Sequence, residues 1–304
     1  MKETNIKTNA FRAWLLASRP KTLIGAAVPV MLGMALAFNH GTGPFDFMPA
    51  ILCLLFAFVM QIDANFVNDY FDCIKGNDAS EIRLGPKRAC AEGWVTLLAM
   101  KKAIIFTTAV AAFVGLPLIF YGGYEMIPVG LLCIVFCFLY TTKLSYLGFG
   151  DVLVLVFFGL VPVCLTYYVV MPQTSKNIPL DVFLTSLACG FVIDTLLIVN
   201  NYRDRDNDRH AGKLTLIVRI GERWGARFYL FSGLIGEILM VFVSLNNVAH
   251  TWAPAVLLGY LPVHYQSYIK MRKIRQGKAL NKVLGQTARN ILIFGIVSML
   301  AILL

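Results

Sequence analysis

The chain has 304 residues, of which 58% are hydrophobic and only 14% charged, with a formal net charge of +10. So low a charge content excludes an ordinary soluble domain and points to the membrane. The basic excess does not mark a nucleic-acid binder, because it follows the loops of a membrane protein rather than one patch or stripe.

Residues 1–21 are polar, with Phe11, Trp14, Leu15 and Leu16 lending amphipathic character. They read as a cytoplasmic interfacial segment leading into Ser18-Arg19-Pro20-Lys21-Thr22, where Pro20 fits the first turn of the next helix. No cleavable signal peptide is expected, since the segment stays polar and charged through Lys21. Nine apolar runs follow, at about 22–38, 50–68, 101–120, 127–142, 150–171, 180–201, 225–245, 252–270 and 287–304. Each is near the ~20 residues needed to cross a bilayer. The expectation is therefore an all-α, polytopic membrane protein with nine transmembrane helices and one domain over 1–304. The loops after spans one, three and seven contain no Lys or Arg, and the loop after span five has only Lys176. The other 26 of the 27 basic residues lie in the N-terminal segment, in the alternate loops, or at the span ends facing them. This bias places the N-terminus in the cytoplasm and the C-terminus outside.

The second apolar run ends in Asn65-Phe-Val-Asn68-Asp69-Tyr-Phe-Asp72-Cys-Ile-Lys75-Gly76-Asn-Asp78. On a helix Asn65, Asn68, Asp69 and Asp72 fall at i, i+3, i+4 and i+7, along one face. Oxygen-only clusters of this kind suit a hard divalent cation such as Mg2+. The loop over 73–100 then carries Arg83, Lys87 and Arg88, punctuated by Gly85 and Pro86. A positive-inside loop explains those charges, but not the carboxylates beside them. An anion sharing the site with a divalent cation explains both.

Lys143 follows span four, and Gly148-Phe-Gly150-Asp151 opens span five. Span six ends in Asn200-Asn201-Tyr202-Arg203-Asp204, which repeats Asn68-Asp69-Tyr70-Phe71-Asp72 as N-[DN]-Y-x-D, and Asp208 continues its face. Two such ends suggest two halves meeting at one site, with Gly212-Lys213 closing the second loop. Asp63 and Asp194, inside apolar runs, are expected to line the same cavity, while Glu237 is assigned no role. The histidines at 40, 210, 250 and 264 are expected at surface or interfacial positions. Seven scattered cysteines read as small apolar fillers and imply no disulfide framework. The basic run from Lys270 to Lys282 reads as a topology signal in contact with anionic lipid. A cytoplasm-facing cavity with carboxylates, a divalent metal and basic groups, bordered by apolar helices, suits a prenyl diphosphate.

The ordered blocks Arg19-Pro-Lys-Thr-Leu23, Asn65 to Asp72, Arg83-Leu-Gly-Pro-Lys-Arg88, Leu147-Gly-Phe-Gly-Asp151, Val156-Phe-Phe-Gly159, Asn200 to Asp208 and Gly212-Lys213 resemble the UbiA superfamily of intramembrane aromatic prenyltransferases. The resemblance spans most of the chain. It implies nine helices around a central cavity open to the cytoplasm, capped by polar loops, in a bacterial inner membrane. It also implies Mg2+ held by Asp69, Asp72, Asp204 and Asp208, with Asn68 in the first motif. Arg83, Arg88, Lys143 and Lys213 would contact the diphosphate, with Lys87 a weaker candidate. Gly76 stands where many members have a third acid, and Asp78 follows two residues later. That departure is shared with the branch that prenylates 1,4-dihydroxy-2-naphthoate, with loss of diphosphate and carbon dioxide to give demethylmenaquinol. Arg19, Lys21, Asn65 and Asn201 are expected on the acceptor side. The expected partners are the two substrates and membrane lipid, with no nucleic acid and no obligatory protein. Another acceptor such as 4-hydroxybenzoate stays open, as does an ion-coupled transporter using Asp63 and Asp194.

Overall fold

The computed structural model describes residues 6–76, 83–172, 176–246 and 252–304. In order they form α1 (Phe11–Ser18), α2 (Leu23–His40), α3 (Phe47–Ile74), α4 (Leu97–Gly115), α5 (Ile119–Gly122), α6 (Met126–Leu139), α7 (Gly150–Val154), α8 (Val161–Val170), α9 (Leu180–His210), α10 (Leu216–Asn246), α11 (Ala253–Leu257), α12 (Tyr260–Ile274) and α13 (Leu280–Leu303). No strand occurs among the described residues. Backbone groups inside a bilayer have no water to bond, so helices satisfy them internally.

Eight helical segments among the described residues are long and apolar enough to cross a membrane: Phe11–His40, Phe47–Ile74, Leu97–Gly122, Met126–Leu144, Gly150–Val170, Leu180–His210, Leu216–Asn246 and Leu280–Leu303. The chain is an integral membrane protein. Over the expected ninth span, 252–270, the chain forms two successive helices, the 5-residue α11 and the 15-residue α12, rather than one continuous helix. Pro262 explains the break, since it has no N–H to return to the carbonyl of Leu258, and Gly259 beside it is a weak helix former. The first segment is also interrupted. Arg19 takes a left-handed φ of 49° and Pro20 follows it, so α1 turns away from α2. Ala13 and Ala17 of α1 are buried with Phe66, Val67 and Met100, and Trp14 packs edge-on to Phe66 at 5.7 Å. The amphipathic N-terminal segment is thus a strut against α3.

The main core lies where α2, α8, α9 and α13 meet, around Leu32, Val163, Val192 and Phe294. Helices α3 and α9 run well past the apolar stretches read from sequence, to Ile74 and His210. Both acidic motifs therefore sit on continuous final turns of long helices rather than in loops. Rigid helices hold side chains more precisely than loops do.

Asp63 does not join that face. It is fully buried and accepts from Thr108 at 3.0 Å and, through a short bond, from Thr107, with Cys137 4.0 Å away. It ties α3 to α4 and α6 instead of lining the cavity. The six residues from 63 to 69 rotate a helix by about 240°, which takes Asp63 to another side. His264 likewise departs from the surface position expected. It is buried between Tyr229 and Tyr260, at ring distances of 4.7 and 5.2 Å, and its Nε2 lies 3.2 Å from the Leu230 carbonyl oxygen.

Candidate active site

At the end of α3, Asn65 fixes the turn that carries Arg19. Its amide donates to the Ser18 carbonyl and the Thr22 hydroxyl, both at 2.9 Å, while Arg19 reaches Asn65 Oδ1 at 3.5 Å. Asn65 is therefore a clasp, and the group it presents is Arg19, which lies within electrostatic reach of Asp69 and Asp72. Lys21, two residues on, is exposed. Asn68 accepts a short hydrogen bond from Thr141, in the π-helical turn Tyr140–Leu144.

Asp69 is buried, and its two oxygens accept the backbone N–H groups of Ala89 and Cys90, each at 3.0 Å. This carboxylate folds the loop after α3 back over the site. Asp72 has a looser setting. Arg88 Nη2 stands 3.5 Å from its Oδ2, and Lys213, Arg83, Arg19 and Lys75 surround it at longer range. Lys75 is held by the Thr142 carbonyl at 2.9 Å and lies over the Tyr146 ring at 4.3 Å. Asp78 lies outside the described residues.

In the second motif Arg203 is 2% exposed and forks onto Asp204, with Nε to Oδ1 at 2.8 Å and Nη2 to Oδ2 at 2.5 Å. The same guanidinium donates to Asn200 at 2.6 Å and to Asn281 at 2.8 Å, and Asn281 donates to the Leu84 carbonyl at 2.8 Å. A hydrogen-bonded chain thus joins α9 and α13 to the loop over the first motif. Gly85 leaves room there for the guanidinium, since a Cβ at this position would lie 2.7 Å from Arg203 Nη2 and displace it from its partners. Asp208 Oδ1 is 3.5 Å from Lys213 Nζ, and Asp208 Oδ2 is buried with no hydrogen-bond partner.

The two motifs share neighbours. Lys213 pairs with Asp208 and also acts on Asp72, and Arg83 acts on both Asp72 and Asp204. Burial first, and then the nearby Arg19, push the Arg83 guanidinium down to about 10, against the pull of Asp204 and Asp72. Six cations (Arg19, Lys75, Arg83, Arg88, Arg203, Lys213) gather about four carboxylates (Asp69, Asp72, Asp204, Asp208). That surplus in a half-buried place suits a polyanion. Two of the sequence candidates stand apart. Lys143 is exposed on its π turn, and Lys87 is spent on Glu92 at 2.6 Å.

Beside the second motif a narrow cleft is lined by Asn201, Tyr140, Asp151, Leu197, Lys213 and Thr215. Its rim is stitched by Leu214 N–H to the Tyr146 carbonyl at 2.9 Å and by Arg219 to the Leu147 carbonyl at 2.9 Å. Gly148 takes a φ of +85° there, and a Cβ would lie 2.5 Å from the Leu214 oxygen. Sequence reasoning gave no role to Asp151, Tyr140, Arg203 or Asn281. Arg203 and Asp151 stood inside quoted motifs, whereas nothing local marked Asn281.

A divalent cation can be tested against these oxygens. The donor set is hard, Asp208 Oδ2 is buried and unpartnered, and Asp72 has only a long contact to Arg88. A carboxylate oxygen also keeps a second lone pair after accepting one hydrogen bond. The chemistry of the set fits Mg2+. Among the described residues, however, no three acidic, His or Cys side chains converge closely enough to hold an ion. Asp69 is drawn to backbone amides and Asp204 to Arg203.

The model of the UbiA prenyltransferase family matches residues 26–302. The chain belongs to this family. UbiA relatives include the Escherichia coli (strain K12) protein named 1,4-dihydroxy-2-naphthoate octaprenyltransferase, 34% identical over 96% of each chain. A Mycobacterium tuberculosis protein of the same name is 31% identical over 94% of this chain and 95% of its own. Among UbiA structures, that of an Aeropyrum pernix homolog superposes with a TM-score of 0.70 at 14% identity, covering 92% of this chain and 97% of that one. That of an Archaeoglobus fulgidus homolog bound to DMAPP and Mg2+ gives 0.61 at 14% identity, over 94% and 98%. The UbiA fold is therefore shared across most of the chain.

Proposed function

We propose that this chain transfers a polyprenyl group from polyprenyl diphosphate to 1,4-dihydroxy-2-naphthoate, releasing diphosphate and carbon dioxide and giving demethylmenaquinol. The observation that carries this reading is full-length similarity to proteins named for that activity, in a chain whose own site gathers surplus cations around paired acidic motifs. Arg83, Arg88 and Lys213 face the diphosphate and stabilise its charge as the allylic C–O bond breaks. Lys143 is a further contact only if its exposed turn closes over the donor. Asp69, Asp72, Asp204 and Asp208, with Asn68, are the residues that would hold Mg2+. When bound, the ion acts as a Lewis acid that neutralises the leaving diphosphate.

Asp69 also holds the Ala89–Cys90 amides and Asp204 also orients Arg203, so each of these acids has a structural task besides. Of the two basic residues proposed for the acceptor carboxylate, Arg19 is directed inward by Asn65, while Lys21 is exposed. Asn201 lines the narrow cleft beside the second motif, on the side proposed for the acceptor. The prenyl tail lies among the apolar helices, away from water that would quench the allylic cation. Both acidic helix ends face the cytoplasm in this reading, with the N-terminus on that side and the C-terminus opposite, and the Lys and Arg bias supports it.

The test is product mass after purified protein is incubated with dihydroxynaphthoate and prenyl diphosphates of several lengths, with and without Mg2+. The expected product is the prenylated naphthoquinol lacking the carboxyl carbon, formed only with the metal. Prenylation of 4-hydroxybenzoate alone, or no transfer under any condition, overturns the reading.

A further inference from the structure

A second pair of acids lies deeper than the diphosphate face. Asp151, in the first turn of α7, is 7% exposed, lines the cleft, and has an Oδ1 with no hydrogen-bond partner. Asp194 of α9 is 1% exposed, and its Oδ1 also has none. The two carboxyls lie within electrostatic reach of each other, and the Tyr140 hydroxyl lies within reach of both. Asp194 is two turns below Asn201 on the same face of α9, and Asn201 lines the cleft with Asp151 and Lys213. The helix dipole explains an acid at the start of α7, but not an acceptor oxygen left unmet, and it explains nothing of Asp194 in mid-helix. A buried acceptor without a donor is unfavourable until something supplies one. The open side of Asp151 is the cleft, and a ligand that brings O–H groups to it supplies the missing donor.

We propose that Asp151, backed by Asp194, accepts the hydroxyl proton of the aromatic acceptor as its ring carbon attacks the allylic carbon. This rests on the acceptor being a hydroxylated aromatic acid, as set out above. The ring carbon bearing the carboxylate forms the new C–C bond. The allylic C–O bond breaks, and its electron pair leaves with diphosphate. The adjacent hydroxyl becomes a carbonyl as its proton passes to the Asp151 carboxylate. Loss of carbon dioxide returns the C–C electron pair to the ring, and Asp151 gives the proton back to the oxygen. Atoms and charge balance with no further reactant, and Asp151 ends as it began. Asp194 does not touch the acceptor and acts as a positioning residue.

The experiment compares wild type with Asp151→Asn on 1,4-dihydroxy-2-naphthoate and on its two mono-O-methyl ethers, at saturating prenyl diphosphate and Mg2+. General-base removal predicts a loss of about 10²-fold in kcat/KM on the dihydroxy acceptor, with KM for the prenyl diphosphate unchanged. Against the ether that lacks the relevant hydroxyl, the variant should match wild type within about threefold, because the group that needs the base is gone. An equal penalty on all three acceptors, or none on any, overturns the proposal. Thermal unfolding of each variant reports on folding, and Asp194→Asn carries the same comparison if Asp151→Asn fails to insert. If wild type itself leaves the naphthoate unprenylated, the functional reading falls first, and that failure is separate from a variant effect.

Discussion

The motifs at 68–72 and 200–204 share the pattern N-[DN]-Y-x-D, yet their last acids live in different surroundings. Asp204 is gripped by both arms of Arg203, while Asp72 meets its nearest cation, Arg88, only at 3.5 Å. The difference traces to one position. The residue before the final acid is Arg203 in the second motif and Phe71 in the first, where it packs into the apolar cluster under α1. A guanidinium there builds an internal salt bridge that also reaches Asn200 and Asn281. A phenyl ring leaves the carboxylate open to its surroundings. The middle positions diverge as well, since Asp69 spends both oxygens on loop amides while Asn201 lines the cleft. One motif is thus arranged to receive ligands at its final acid, and the other to hold the protein together there.

The largest expected effect breaks the open end. Asp72→Asn should lower kcat by about 10²–10³-fold, in the range of lost electrostatic stabilisation at a developing charge. Its thermal unfolding should stay near that of wild type, because no close hydrogen bond is lost. Phe71→Arg should make the first motif imitate the second, with a guanidinium beside Asp72. The expected loss is about 10–100-fold in transfer rate, as for disturbed supports of a ligand site. Unchanged transfer by Phe71→Arg would mean that the openness of Asp72 is incidental. Asp69→Asn should cost about 1–3 kcal/mol of stability, because an amide group then faces two backbone N–H donors and only one oxygen remains to accept. Calorimetry on the purified protein, read beside its turnover, separates this structural share from the catalytic one. The smallest effect belongs to Lys87→Ala, which removes an exposed pair with Glu92 and should stay within about 0.5 kcal/mol with transfer intact.

Much of the architecture is legible along the chain, for a local reason. Long apolar runs and the placement of Lys and Arg report burial in lipid residue by residue, so most spans appear where hydropathy alone puts them. The run at 252–270 is continuous in hydropathy, yet it is divided at Gly259 and Pro262 into two helices, a break that averaged hydropathy does not report. Asp63, expected in the same cavity as an acid within an apolar run, is sent toward Thr107 and Thr108 by its helical angle. Asn65 lies on the motif face as the spacing predicts, but its amide is turned to the Ser18 carbonyl and the Thr22 hydroxyl. The roles of Lys21 and Arg19 were equivalent in sequence. Only the left-handed turn at Arg19 sets one inward and leaves the other exposed.

The sequence by itself determined that this protein is a helical membrane protein with two acidic helix ends and basic loops beside them, and its motifs marked the family. Those properties are sums over neighbouring residues. Tertiary structure alone decided which partner each charge takes. Arg203 reaches Asn281 across 78 positions, Arg19 meets Asn65 across 46, and the Ala89 amide returns to Asp69 across 20. A carboxylate behaves as a clasp, a counterion or a ligand according to the donors placed around it. In this chain those donors arrive from distant segments, and a residue's own neighbours carry no record of them.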